Sequence, residues 1–101
     1  MASKYVLLNE ARREFDYILE YLVMRTGGTS AASALLDEFA GKIALVCENP
    51  ELFGLSRMPE LAALGYRSFP VKSYVVLYFY RDGQVFVAHI FHQRQDYARL
   101  V

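Results

Sequence analysis

Among the side chains able to do chemistry, Arg67 stands out for the company it keeps. Strand alternation in the C-terminal third puts Tyr74, Tyr78, His89 and Phe91 on one face of a sheet. A turn over 70–73 that pairs Phe69 with Tyr74 sets Arg67 opposite Val76 on that same face. A guanidinium pairs bidentately with phosphate or carboxylate, and tyrosine rings stack on bases or pack against peptide. The cluster is therefore a candidate binding face. The plainer alternative is a solvated sheet face whose tyrosines serve strand propensity. His89 and His92 lie three positions apart in one strand, so they face opposite ways and do not chelate one ion. Cys47 is the single cysteine, so the chain closes no disulfide within itself. It sits one residue off a helical apolar stripe and reads as a small packing residue. Gly27-Gly28 lacks the lysine and the spacing of a phosphate-binding loop. No metal and no cofactor is expected.

These residues need a frame. Lys4–Leu8 reads as a short strand. Asn9 offers an N-cap, and Ala11, Phe15, Ile18, Leu19 and Leu22 recur at helical spacing until Gly27-Gly28. A second helix starts at Thr29 or Ser30 with the stripe Ala32, Leu35, Leu36, Phe39, Ile43 and Val46, and stops at Asn49-Pro50. So short a connection packs the two helices as an antiparallel hairpin. Residues 50–65 hold Pro50, Gly54, Pro59 and Gly65, a loop with one helical turn beginning at Pro59. Strands follow at Tyr66–Phe69, Tyr74–Arg81 and Gln84–His92, the last two joined by the two-residue turn Asp82-Gly83. The result is an α+β fold, β-α-α-β-β-β, with the helical hairpin on one face of a small antiparallel sheet. The turn register assigns Val75, Leu77, Phe79, Phe86, Ala88 and Ile90 to the helices and leaves the tyrosine face open.

Composition supports one domain over 1–101. At 101 residues, 54% of them hydrophobic, the chain has material for a single core. No apolar run approaches the roughly 18 residues of a membrane helix, and the N-terminus is too short in apolar residues for a secretory signal, so a cytoplasmic protein without membrane contact is expected. Formal net charge is zero. Residues 1–65 carry six basic and nine acidic side chains and residues 66–101 five basic and two acidic, so an anionic partner fits the C-terminal third.

Gly65-Tyr66-Arg67-Ser68-Phe69-Pro70-Val71, followed by Tyr74-Val75-Val76-Leu77-Tyr78, resembles the strand-turn-strand core of RelE/ParE superfamily toxins. The stretch Val87 to Tyr97 resembles their last strand and tail, and Asn49-Pro50 after the second helix matches as well. The resemblance covers nearly the whole chain, in order. It implies the toxin of a type II toxin–antitoxin module, a growth inhibitor linked to plasmid stabilisation and silenced by a cognate antitoxin on a separate short chain. The antitoxin is expected to lay an amphipathic helix between the helical hairpin and the sheet, or to add a strand to a free edge.

The superfamily has two activities: RelE-like members cut mRNA on the ribosome, and ParE-like members poison DNA gyrase by binding. Arg67-Ser68-Phe69-Pro70-Val71, His92-x-x-x-Asp96 and Leu100 resemble the ParE-like branch more closely. Residues 50–65 contain no lysine and only Arg57, and zero net charge suits a ribosomal RNA binder poorly. On the ParE-like reading the tail from Arg94 to Val101, Arg99 included, contributes target contacts. The alternative is a ribosome-dependent endoribonuclease. For it the resemblance supplies Arg67 against phosphate, His92 as acid or base, Arg94 as a basic residue and Tyr97 as a C-terminal tyrosine. His92 also fits a strand-end histidine bonded to a carbonyl, and Arg94 an ion pair with Asp96. A degenerate toxin that keeps only antitoxin binding is a third possibility.

Overall fold

A computed structural model of the chain describes residues 5–93. Both helices form where apolar spacing requires them. Helix α1, Asn9–Thr26, buries Ala11, Phe15 and Ile18. It ends at Gly27, whose φ of 75° is a left-handed conformation that glycine adopts without steric cost. Its N-cap is Leu8 rather than Asn9, and no side chain caps the first turn. Helix α2, Ser30–Glu48, buries Ala32, Leu35, Phe39, Ile43, Val46 and Cys47. Leu36 turns out to solvent instead, at 44% exposure. Each four-residue step along Leu35, Phe39, Ile43 and Cys47 rotates about 40° past a full turn, so the buried row starts at the azimuth of Leu35 and reaches that of Cys47 only at the far end of the helix. Among the described residues no helix is long and apolar enough to cross a membrane.

Four strands make one sheet in the order β1-β4-β3-β2: β1 is Tyr5–Leu7, β2 Arg67–Val71, β3 Tyr74–Arg81 and β4 Gln84–His92. Strands β2, β3 and β4 are antiparallel, as expected. Strand β1 runs parallel to β4, which makes the sheet mixed. The α1–α2 hairpin supplies the long connection that a parallel neighbour needs. Asp82 and Gly83 have φ of 53° and 76°, the geometry of a type I′ turn, and Arg81 faces Gln84 as that turn dictates. The β2–β3 turn is tighter than expected. Val71 pairs with Tyr74 around Lys72-Ser73, so Arg67 meets Tyr78 rather than Val76. Loop residues 54–56 cover the outer edge of β2. Leu55 bridges Arg67, and the Ser56 N–H donates to the Tyr66 carbonyl at 2.9 Å.

The helices cover the sheet face opposite to the one alternation selected. Val76, Tyr78, Val85, Val87 and Ile90 share a core with Ala11, Phe15, Leu35, Phe39 and Ile43. Two physical facts explain the reversal. A tyrosine in an alternating strand reads as an open-face residue, yet Tyr78 is fully buried because its hydroxyl donates to the Pro50 carbonyl at 2.7 Å. A β-bulge pairs Leu77 with His89 but Tyr78 with Val87, leaving Ala88 unopposed. The extra residue changes the parity of β4, so Ile90 joins Val85 and Val87 under the helices. The far face is covered in part as well. Leu61 of the short helix α3, Pro59–Ala63, packs on Leu77 and Phe91, with Met58 and Tyr66 at the margin.

Candidate functional site

Strand β1 pairs with only the first part of β4, from Val85 to Val87. Beyond that point α1 takes the place of a neighbouring strand. Glu14 reaches the vacated edge: its Oε1 accepts the Ile90 N–H at 2.9 Å, and its Oε2 lies 3.0 Å from Nδ1 of His89. One carboxylate thus satisfies a strand donor that has no ladder partner and holds the imidazole beside it. Alongside, α1 and the strand ends leave an open cleft of about 480 Å³, lined by Glu10, Arg13, Glu14, Tyr17, Ile18, Tyr21, Tyr74, Ile90, Phe91 and His92. Arg13 pairs with Glu10 at 3.0 Å on the rim. The Tyr74 ring meets the His92 ring edge to face at 5.6 Å. Burial pushes the Tyr74 phenol above its ordinary pKa, and nearby Tyr21 adds to the shift, so the hydroxyl is a neutral hydrogen-bonding group at neutral pH. Aromatic rings, two carboxylates and a guanidinium thus line one hollow.

The expected open-face cluster of Arg67, Tyr74, Tyr78 and His89 does not assemble. Tyr78 is at 0% exposure and Phe91 at 3%, both in the core. His89 is buried on the far face, stacked on Phe91 with ring centres 5.7 Å apart. Arg67 does share a face with Tyr78, its direct partner, but that face is the covered one. Its Nη1 donates to the Phe53 carbonyl at 2.9 Å, which ties the guanidinium to the loop over β2. Burial raises the pKa of Tyr78, a shift that the adjacent Arg67 charge partly offsets. Only Tyr74 of the proposed binding tyrosines reaches the cleft.

His92 is exposed at the end of β4, opposite Tyr74. His89 and His92 fall on opposite faces, as strand parity requires. Arg67 stands four residues along the ladder from the Tyr74–His92 pair and two strands across, on the order of 16 Å from His92. Arg94, Tyr97 and Arg99 lie outside the described residues. Among the described residues no group of three or more His, Cys, Asp or Glu is placed to hold a metal ion. Burial raises the pKa of the Cys47 thiol, which suits its packing role rather than nucleophilic chemistry.

Two features escaped the sequence reading. Glu10, Arg13, Glu14, Tyr17 and Tyr21 form a row beside the apolar stripe of α1, at i, i+3, i+4, i+7 and i+11. That spacing was available as a signal. The second is an aromatic patch on the face away from the helices. Phe79 stacks on Phe86 with ring centres 5.0 Å apart, Tyr66 meets Phe79 edge-on, and the Arg81 guanidinium lies 5.0 Å from the Phe79 ring centre.

A search of curated proteins found no match to this chain. A family model does match, over residues 5–97, and its description is the ParE toxin of the type II toxin–antitoxin system, parDE. The matched span runs from the first residue of β1 past the end of β4, so the whole mixed sheet and both long helices lie within it. By a match over that span, this chain belongs to the ParE toxins of type II toxin–antitoxin systems.

Proposed function

We propose that this toxin works by binding DNA gyrase, without chemistry of its own, and is held silent by its cognate antitoxin. The observation that carries this reading is the dispersal of the nuclease candidates. Cleavage by 2′-hydroxyl attack needs an acid or base and a positive charge on one phosphate. Arg67 is instead bonded to Phe53 O and stands on the order of 16 Å from His92. His92 fits better as a rim residue that orders Tyr74 than as an acid–base catalyst. The cleft offers tyrosines and a paired Arg13–Glu10, a surface suited to protein rather than to a phosphate backbone.

The outer edge of β1, with Tyr5 and Val6 each 39% exposed, is suited to strand addition by the antitoxin. An antitoxin with excess acidic residues would complement the basic C-terminal third.

Purified toxin in a gyrase supercoiling assay and in a translating-ribosome assay tests the proposal. Loss of supercoiling with intact mRNA is the expected result, and His92→Ala should retain it. Codon-phased mRNA cuts that disappear in His92→Ala would overturn the reading and make the protein a RelE-like endoribonuclease.

A further inference from the structure

We infer that the hollow between the 53–57 loop and β2 takes an acidic side chain flanked by apolar ones, presented by a polypeptide partner. This hollow holds about 570 Å³ and shares no lining residue with the α1–β4 cleft. Three features carry the inference. The first is a set of donors. The Arg57 guanidinium, the Ser68 hydroxyl and the Gln93 side-chain amide all line it. Among the described residues none of these three side chains has a hydrogen-bond or ion-pair partner. No Asp, Glu, Lys, His or Tyr is among the described lining residues, so Arg57 supplies the charge. A guanidinium without a counter-ion, beside neutral donors, is matched by one carboxylate, which it can grip with two hydrogen bonds.

The second is the apolar wall. Phe53, Leu55, Phe69 and Val75 line the same hollow, and Leu55 is 51% exposed. A free hydrated anion leaves that wall wet, whereas a carboxylate with apolar neighbours covers it.

The third is that the walls are already held. Arg67 Nη1 donates to the Phe53 carbonyl at 2.9 Å, the Ser56 N–H to the Tyr66 carbonyl at 2.9 Å and the Ser68 N–H to the Gly54 carbonyl at 3.4 Å. Gln93 is fixed by its own N–H, which donates to the Ser73 carbonyl at 2.9 Å. Walls that need no ordering leave more of the contact energy as affinity. The same bonds disfavour two other occupants. Leu55 bridges Arg67 along the outer edge of β2, which closes that edge to strand addition. The Arg67 guanidinium is engaged by Phe53, so a phosphodiester backbone, which gains affinity from several cations, meets only Arg57.

Amide NMR on the isotope-labelled full chain at micromolar concentration tests the inference, with three probes. These are the peptide acetyl-Leu-Glu-Phe-amide, its Gln analogue acetyl-Leu-Gln-Phe-amide, and uridine monophosphate. The acidic peptide should shift the amides of Gly54, Arg57, Ser68 and Gln93 and bind about tenfold more tightly than the Gln analogue, the worth of one charge-assisted hydrogen bond. Arg57→Gln should abolish that preference, Arg57→Lys should keep part of it, and Ser68→Ala should weaken the acidic peptide about threefold. Arg57 is exposed, so its variants should melt like the wild type. Equal binding of the two peptides, no binding of either, or an Arg57→Gln protein that still prefers the acidic one would overturn the inference. Tighter binding of the nucleotide would overturn it in favour of a nucleic-acid ligand. No gyrase enters the assay, so this inference can fail while the gyrase reading stands.

Discussion

Tyr78 is a polar residue that the core accepts because its hydroxyl has a partner. The ring fills the centre of the core beside Phe69, and the oxygen finds its acceptor in the Pro50 carbonyl. Tyr78→Phe keeps the volume but strips that carbonyl of its donor, so a loss of about 1–2 kcal/mol in denaturant unfolding is expected. Glu38 acts at the surface. Its carboxylate takes Lys42 and both the backbone N–H and the ammonium of Lys72, clamping α2 to the β2–β3 turn. The Lys42 hydrogen bond, foremost, and then the Lys72 N–H hold its pKa below the ordinary 4.5. A folded-state pKa below the unfolded one means that the clamp's contribution is complete above pH 4.5 and fades as pH falls through the lowered value. Thermal melts of wild type and Glu38→Gln between pH 6 and pH 3 should therefore converge at the acid end.

Among the elements, α3 is short but has a defined task. Leu61 is at 0% exposure and caps Leu77 and Phe91 on the far face of the sheet. Leu61→Ala should cost about 2–5 kcal/mol and speed amide hydrogen exchange in the centre of β3 and β4. The helices, the Asp82-Gly83 hairpin and the limits of β3 and β4 were legible in the sequence, because each depends on residues within a few positions of one another. The orientation of the sheet was not. It depends on the unopposed Ala88 and on a carbonyl in the loop after α2, neither of which leaves a periodic trace. The cleft was hidden for a related reason. Glu14 reads as an ordinary solvent-side helix residue until the end of β1 at Leu7 exposes the Ile90 N–H to it. Arg67 was identified for its charge, and a partner in the Phe53 loop is what draws it away from solvent.

For the molecule as a whole, much apolar surface remains uncovered: Tyr17, Met24 and Leu64 are each more than two-thirds exposed. Net charge is zero, so little electrostatic repulsion keeps copies apart. Toxin without antitoxin should self-associate at high concentration in sedimentation velocity, and a monodisperse monomer there would count against a partner-dependent surface. The position of β4 carries a different consequence. It lies between β1 and β3, so among the described residues the first strand pairs with the last, and α1 rests on that strand too. During synthesis, α1 and α2 emerge with their apolar stripes complete but with no complete sheet to bury them until Gln84–His92 clears the ribosome. Such long-range pairing makes folding late and cooperative rather than progressive. A nascent chain stalled before Gln84 should thus remain protease-sensitive, and one extended past the exit tunnel should become resistant in a single step. The poison would take its shape only once β4 has been made, an interval in which a co-expressed antidote can already be waiting.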